Sequence, residues 1–123
     1  MVVTREGLRA LALAGEVDIA AARKEIEKRA LGCPWPPFQP TRHNMYIHDE
    51  LRQYLNCPRP VLPYLALYLS TKAEARGDLN LAAAWREVER IARQFPDEPS
   101  AVIVGAVAAA AIAPMLSCYR EEA

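Results

Sequence analysis

The residues of this chain that could do chemistry lie close together in the sequence. Two of its three cysteines and both of its histidines fall within residues 33–57. Two thiolates and two imidazoles are the ligand set that tetrahedral zinc prefers. The four residues are separated by nine, four and eight intervening positions, so they form neither a CxxC pair nor an HxxxH pair. The sequence therefore indicates zinc as a possible cofactor, and otherwise none, with the candidate ligands Cys33, His43, His48 and Cys57.

The same four residues have other interpretations. Free cysteines are often buried and behave as small apolar side chains, and the histidines could be solvated or cap a helix. A disulfide between Cys33 and Cys57 is a further alternative, of the kind found inside the cells of hyperthermophiles.

The segment 33–59 also concentrates aromatic and arginine side chains. Four prolines from Pro34 to Pro40 remove backbone donors and stiffen the chain. Aromatic residues and arginine are enriched at protein interfaces. We therefore predict a non-catalytic interaction module whose binding surface comprises the proline-rich loop and the third helix. The candidate binding residues are Trp35, Phe38, Arg42, His43, Tyr46, His48, Arg52 and Arg59.

Two alternatives exist for this surface. Trp35 and Phe38 could instead fix the loop onto the helices as part of the core. Aromatic rings and arginines could also stack the bases of a single-stranded nucleic acid, although the net charge of the segment is only about +1. The whole chain carries 15 basic and 15 acidic side chains without a basic patch, which disfavours nucleic acid as a partner.

Motifs for catalysis are missing from the sequence. There is no glycine-rich phosphate loop, no Glu-x-x-His pair of a di-iron bundle, and no base that the sequence places beside a reactive thiol. The dipeptide His48-Asp49 occurs in metal-dependent phosphohydrolases, but His43 is too close to it to supply a further ligand. The sequence therefore favours a protein that is not an enzyme.

Composition favours a cytoplasmic protein. The first residues do not resemble a signal peptide, and the three cysteines lack the pairing pattern of a disulfide framework. The run from Ala101 to Leu116 is apolar for sixteen residues, whereas a membrane-spanning helix needs about twenty. We therefore expect reduced thiols and no membrane span.

Apolar spacing, capping residues and prolines predict six helices and no strand. Thr4 caps the first helix and Gly15 ends it, and Asp18 caps the second. Gly77 terminates the fourth. The expected ranges are 4–14, 18–31, 45–56, about 60–76, about 80–95, and a last helix that Ser100 caps and Pro114 ends or kinks.

The sequence contains an internal repeat. Gly15–Pro34 aligns without a gap on Gly77–Pro96 at an offset of 62 residues, and the shared features include the turn glycine, a triple alanine and the final proline. Such self-similarity indicates duplication, the alternative being two helices of similar composition. We predict a single all-α domain over 1–123, a six-helix bundle of two tandem three-helix units (1–60 and 61–123) related by a pseudo-twofold axis.

The last helix also bears on association. Ala101, Gly105, Ala109 and Ala113 recur at every fourth position, which gives a smooth stripe that a second helix can approach closely. A helix that is apolar on all sides is buried within a protein. We therefore expect it to lie inside the monomer or at the seam of a homodimer.

Overall fold

The computed structural model describes residues 4–17 and 45–112, and within these ranges the chain forms α-helices joined by turns and loops, without strands. The prediction of an all-α protein is confirmed. The predicted second helix and the proline-rich loop lie outside the described residues, so the six-helix arrangement with an internal twofold stays a prediction. The helices are α1 (Arg5–Val17), α2 (Met45–Arg52), α3 (Leu62–Ala75), α4 (Leu79–Gln94) and α5 (Ser100–Ile112).

Helix α5 lies at the centre of the described part of the protein. Every residue from Ile103 to Ala111 is buried, and α1, α2 and α4 all pack against this helix. The small side chains permit close approach: a Cβ atom built on Gly105 would lie 3.5 Å from the Cβ of Ala12 in α1. No helix within 4–17 and 45–112 is long and apolar enough to span a membrane.

The larger core side chains come from the helices around α5. Helix α1 contributes Leu8 and Leu11, and α2 contributes Ile47 and Leu51, all fully buried. Helix α4 supplies the largest buried side chain, Trp85. The ring of Tyr54, in the turn after α2, meets Trp85 edge to face with 5.2 Å between the ring centres and 84° between the planes, which is a favoured geometry for aromatic pairs.

Helices α3 and α4 form a hairpin around Gly77, as the sequence predicts. The N–H of Gly77 donates to the carbonyl of Glu74 and the N–H of Asp78 donates to that of Ala73, both at 2.9 Å. This pair of bonds is a Schellman motif, and it requires the left-handed conformation that Gly77 adopts at φ 82°. Asp78 then begins α4, because its side chain accepts a hydrogen bond from the N–H of Leu81 at 3.1 Å.

Several helix boundaries differ from the sequence prediction. Thr4 does cap α1, since its Oγ1 accepts from the N–H of Gly7 at 3.1 Å. However, α1 continues through Gly15 to Val17. Helix α2 has eight residues instead of about twelve, because bonds of the i to i+3 type replace helical ones from Gln53 onward.

The start of α5 also differs. Ser100, predicted to be the cap, is the first helical residue, and its hydroxyl donates to the carbonyl of Cys57 at 2.7 Å. The preceding Pro99 supplies the carbonyl that accepts from the N–H groups of Val102 and Ile103. A contact between distant segments has thus replaced the local cap.

The left-handed turn at Gly77 gives a first testable prediction. A Cβ at this position would meet no atom within 4 Å, so Gly77→Ala should cost only backbone strain, about 1–2 kcal/mol. Urea denaturation should show this loss. Gly77→Asn should lose less, because asparagine tolerates the left-handed region. Equal stability of the alanine variant and the parent chain would contradict the assigned turn.

Candidate functional site

The structure describes part of the predicted binding surface. Cys33, Trp35, Phe38, Arg42 and His43 lie outside the described residues, so nothing follows about their placement. The remaining members fall into two groups. Tyr46 is exposed and Arg52 is half-buried, whereas His48 is buried and Arg59 is occupied by contacts within the fold.

Arg59 holds the C-terminal end of α4. Its Nη2 donates to the carbonyls of Ala92 at 2.6 Å and Phe95 at 2.9 Å, and its Nε donates to the carbonyl of Glu98 at 2.5 Å. The last carbonyls of a helix lack partners within the helix, and a cation there also complements the helix dipole. The guanidinium of Arg59 is therefore used to join the loop before α3 to the end of α4.

Glu98 is a second connecting residue. Its carboxylate is fully buried and accepts two bonds from Arg9 of α1, from Nη2 at 2.8 Å and from Nε at 3.2 Å. Nη1 of Arg5 lies 3.1 Å from the same carboxylate. A bidentate arginine–carboxylate pair fixes geometry as well as charge. Sequence analysis missed this cluster, because a glutamate between Pro96 and Pro99 has the pattern of an exposed loop.

Cys57 is a free thiol in this structure, and Cys33, its partner in the disulfide alternative, lies outside the described residues. Its Sγ lies 3.5 Å from the carbonyl of Pro58, to which it donates. Burial raises the pKa of the Cys57 thiol above its usual value. The thiol, rather than the thiolate that binds metals, is therefore the form favoured near neutral pH.

His48 is 5% exposed and lies on the inner side of α2. Its Nδ1 is 3.2 Å from the Oδ1 of Asp49, while its Nε2 is buried without a hydrogen-bond partner among the described residues. Within 4–17 and 45–112, no group of three or more His, Cys, Asp and Glu side chains is arranged to hold a metal ion. Two of the four proposed ligands fall outside those ranges, so zinc binding stays a prediction.

Tyr46 connects α2 to the α3–α4 turn. Its hydroxyl donates to the Oδ1 of Asp78 at 2.9 Å, the same oxygen that caps α4. Burial of the hydroxyl, followed by its hydrogen bond to Asp78 and the negative charge of that carboxylate, raises the pKa of Tyr46 to about 12. The tyrosine that the sequence assigned to a binding surface therefore also has a structural contact.

The outer side of α3 is the most prominent apolar surface of the described residues. We call this surface the α3 face; it comprises Val61, Tyr64, Leu67 and Tyr68. The exposed fractions of Tyr64 and Tyr68 are 66% and 57%, and those of Val61 and Leu67 are 48% and 45%. The opposite side of the helix is buried through Leu62, Ala66, Ser70 and Ala73. Helix α3 is thus apolar on both sides but covered on only one.

Cations lie over both tyrosine rings of the α3 face. The guanidinium carbon of Arg93 is 5.5 Å from the ring centre of Tyr64, and Nζ of Lys72 is 5.3 Å from that of Tyr68. Arg93 also lines a groove of about 460 Å³ with prolines on its walls. The groove residues are Arg59, Pro60, Pro63, Ala92, Arg93 and Pro96.

Sequence analysis placed α3 correctly but did not identify its outer face. The signal was present, since LPYLALYL has apolar residues on all sides of the helix. A helix of this kind is either fully buried or has an apolar surface left over. The sequence alone does not show which of these cases applies, because the answer depends on how few of the described helices pack on α3.

Comparison of this chain with protein-family models, with curated proteins and with solved structures finds no match. The described residues define a small all-α protein with an exposed aromatic helix face. Functional conclusions rest on its own geometry.

The Glu98 cluster gives a second testable prediction. Glu98→Gln removes a buried charge that two arginines contact, and the free energy of unfolding should fall by about 2 kcal/mol. The matched control is Glu89→Gln, which breaks a more exposed pair with Arg93 at 3.1 Å and should cost about 0.3–0.5 kcal/mol. Chemical denaturation of the two variants checks this, and equal losses would contradict the connecting role of Glu98.

The Tyr46–Asp78 bond gives a prediction about alkaline pH. The pKa of Tyr46 is about 12 in the folded chain, against a usual value of 10.0. Between these values the unfolded chain releases the proton and the folded chain keeps it, so the contribution to stability is complete below pH 10 and is lost toward pH 12. Denaturation at increasing pH should show a shallower loss of stability for Tyr46→Phe than for the parent chain. Parallel curves would argue against this hydrogen bond.

Proposed function

We propose that this protein is a non-catalytic helical interaction module that binds a second copy of itself through the α3 face. The observation that carries the proposal is the exposure of Tyr64 and Tyr68 on a helix whose other side is packed. Tyrosine and arginine are the residue types on which binding energy at interfaces concentrates. Exposed aromatic rings grouped on one helix are therefore better explained by a partner than by solvent.

Charge supports a second copy as that partner. The chain has 15 basic and 15 acidic side chains and a net charge of zero, so two copies do not repel one another over long range. Glu74 and Arg86 form an ion pair beside the α3 face, so their charges neutralise each other at this end of the surface. A strongly basic partner would meet the cations Lys72 and Arg93 on this face.

A twofold pairing of two α3 helices is consistent with the sequence of the face. If they run antiparallel about an axis at Tyr68, residues equally distant from Tyr68 meet across the interface, as in any interface where both copies use the same surface. Tyr64 and Lys72 are each four residues from Tyr68. Such a pairing would place Lys72 of each copy against Tyr64 of the other, and cation–π contacts strengthen when water is removed.

The wider surface over residues 33–59 remains part of the proposal. Of its described members, Tyr46 and Arg52 are accessible enough to contribute. We also propose that the chain contains two three-helix units that arose by duplication, because Gly15–Pro34 aligns on Gly77–Pro96. In this alignment α1 and α3 are the first helices of the two units, and α2 and α5 are the last.

The test of self-association is sedimentation velocity over a range of concentrations. The parent chain should form dimers, and the double substitution Tyr64→Ser with Tyr68→Ser should raise the dissociation constant at least tenfold, since loss of interface hot spots costs about 2 kcal/mol or more. Circular dichroism should show unchanged helix content.

The matched control for this experiment is Leu13→Ser. Leu13 is 63% exposed but belongs to α1, which packs on α5. Its replacement should leave the dissociation constant unchanged. A parent chain that stays monomeric at every concentration, or a double variant that dimerises like the parent, would overturn the proposal.

A small zinc-binding protein is the second candidate function. The buried Nε2 of His48, without a partner among the described residues, favours it. The raised pKa of the Cys57 thiol argues in the opposite direction, because metal ligation requires the thiolate. Metal analysis of protein purified without chelator decides whether the chain binds zinc. His48→Leu should abolish any stoichiometric zinc.

A further inference from the structure

A cavity of about 400 Å³ lies between α1, the turn after α2 and the first half of α5. This volume is in the range of small-molecule sites. Gly105 in its wall is buried, while the side chains of Arg9 and Leu13 are largely exposed, so the cavity is open to solvent beside α1. The cavity belongs to helices that do not form the α3 face, so a ligand in it does not depend on the proposed dimer.

The charges around the cavity are positive. Arg9 and Arg52 line it, and its described lining residues include no acidic side chain. Arg9 is paired with Glu98, but Arg52 has no ion-pair partner among the described residues. Arg5 is also held by Glu98, so two guanidinium groups contact one carboxylate, and Arg52 adds a further positive charge to the lining. This neighbourhood therefore has an excess of positive charge that an anion would neutralise.

The start of α5 adds to this potential. Ala101 and Val102, in the first turn of α5, both line the cavity. The N-terminal end of a helix carries a partial positive charge, which stabilises anions near it. The N-terminus of α5 does not by itself define a ligand site. Here, however, its first turn lines the same cavity as Arg52, which has no ion-pair partner among the described residues.

The remaining walls are apolar. Leu13, Leu55 and Val102 supply aliphatic surface, and Gly105 lines the wall without a side chain. A Cβ atom at Gly105 would already be 3.6 Å from the Cδ2 of Leu55. A cavity with one free guanidinium and aliphatic walls matches a ligand with one charged end and an aliphatic body.

We propose that this cavity binds a small amphipathic carboxylate. The carboxylate group pairs with Arg52 beside the first turn of α5, and the aliphatic chain lies along Leu13, Leu55 and Gly105. A guanidinium and a carboxylate can form two parallel hydrogen bonds, which makes arginine suited to this headgroup. Among the described residues that line the cavity, only Arg52 has an unpaired guanidinium, so a singly charged carboxylate is a better match than a phosphate ester.

Titration calorimetry with octanoate, below its micellar concentration, tests the proposal on the full chain. Octanoate should bind saturably with one site per chain, and octanol and octylamine should bind at least tenfold more weakly because they lack the negative charge. In amide-resolved NMR spectra, octanoate should shift the signals of Val102 and Gly105 most strongly.

Variants of Arg52 provide the specific test. Arg52→Gln should weaken octanoate binding at least tenfold, while Arg52→Lys should retain part of the affinity because it keeps the charge. Arg86→Gln is the matched control, since Arg86 pairs with Glu74 on the other side of the hairpin, and it should bind like the parent. Because Arg52 is only half-buried, its replacement should not unfold the chain.

Substitution of the cavity wall gives an independent readout. Gly105→Ala should reduce the affinity for octanoate, because its methyl group fits in ordinary contact with Ala12 and Leu55 and narrows the wall proposed for the aliphatic chain. A titration without saturation, equal binding of octanol, or unchanged affinity of Arg52→Gln would each overturn the proposal.

Discussion

The burial of α5 is the constraint on which the rest of the structure depends. From Ile103 to Ala111 this helix has no side chain that water could solvate favourably, so it must be covered on all sides. Three described helices do this, and none of them could be removed without exposing part of α5. Because the side chains are mostly alanine, each neighbour approaches closely, as shown by the 3.9 Å from a Cβ at Gly105 to the Cα of Ala12. The positions of α1, α2 and α4 follow from this contact.

An apolar helix gives its neighbours no directional contacts, and polar groups near its N-terminal end supply them. Glu98 fixes α1 through Arg9, and Ser100 fixes the turn after α2 through the carbonyl of Cys57. Arg59 binds three carbonyls at the end of α4 and in the loop that follows. These groups are buried or half-buried, where a lost partner costs more than it would in water. The hydrophobic packing thus determines compactness, while this polar cluster determines which ends of the helices meet.

Sequence patterns predicted the local features of this fold well. The cap at Thr4, the turn at Gly77 and the burial of α5 depend on residues near one another in the chain, and all three are confirmed. Two errors are local, since α1 continues through Gly15 and α2 ends at Arg52, and the others concern contacts between distant segments. Ser100 is of a residue type that caps helices but bonds to Cys57, 43 residues away. Arg9 and Glu98 are 89 residues apart, so no local pattern shows their pairing.

The candidate site was harder to predict for the same reason. The residue types in 33–59 predicted a binding surface, but the type of a residue does not determine whether its side chain points outward or into the core. Tyr46 and Arg52 are accessible, while His48 faces inward and Arg59 is occupied by backbone carbonyls. The α3 face was overlooked because Tyr64 and Tyr68 resemble core residues in sequence. Whether an apolar helix face is buried depends on how many other helices are available to cover it.

The two surfaces that remain uncovered differ in a way that bears on their roles. The α3 face is an exposed apolar helix surface with cations over its two tyrosine rings, and such a surface gains most from another extended surface. The cavity beside α5 is concave, aliphatic and positively charged, which suits a small ligand. They are built on different helices, α3 and α4 for the first and α1, the end of α2 and α5 for the second. Helix α3 packs on α4, and α4 packs directly against α5. A ligand that stiffened α5 would therefore act on α4, the helix that supports the α3 face. Coupling between ligand binding and self-association has two routes among the described residues, the α4–α5 contact and the contacts of α2 and the turn after it with the α3–α4 hairpin through Tyr46–Asp78 and Tyr54–Trp85.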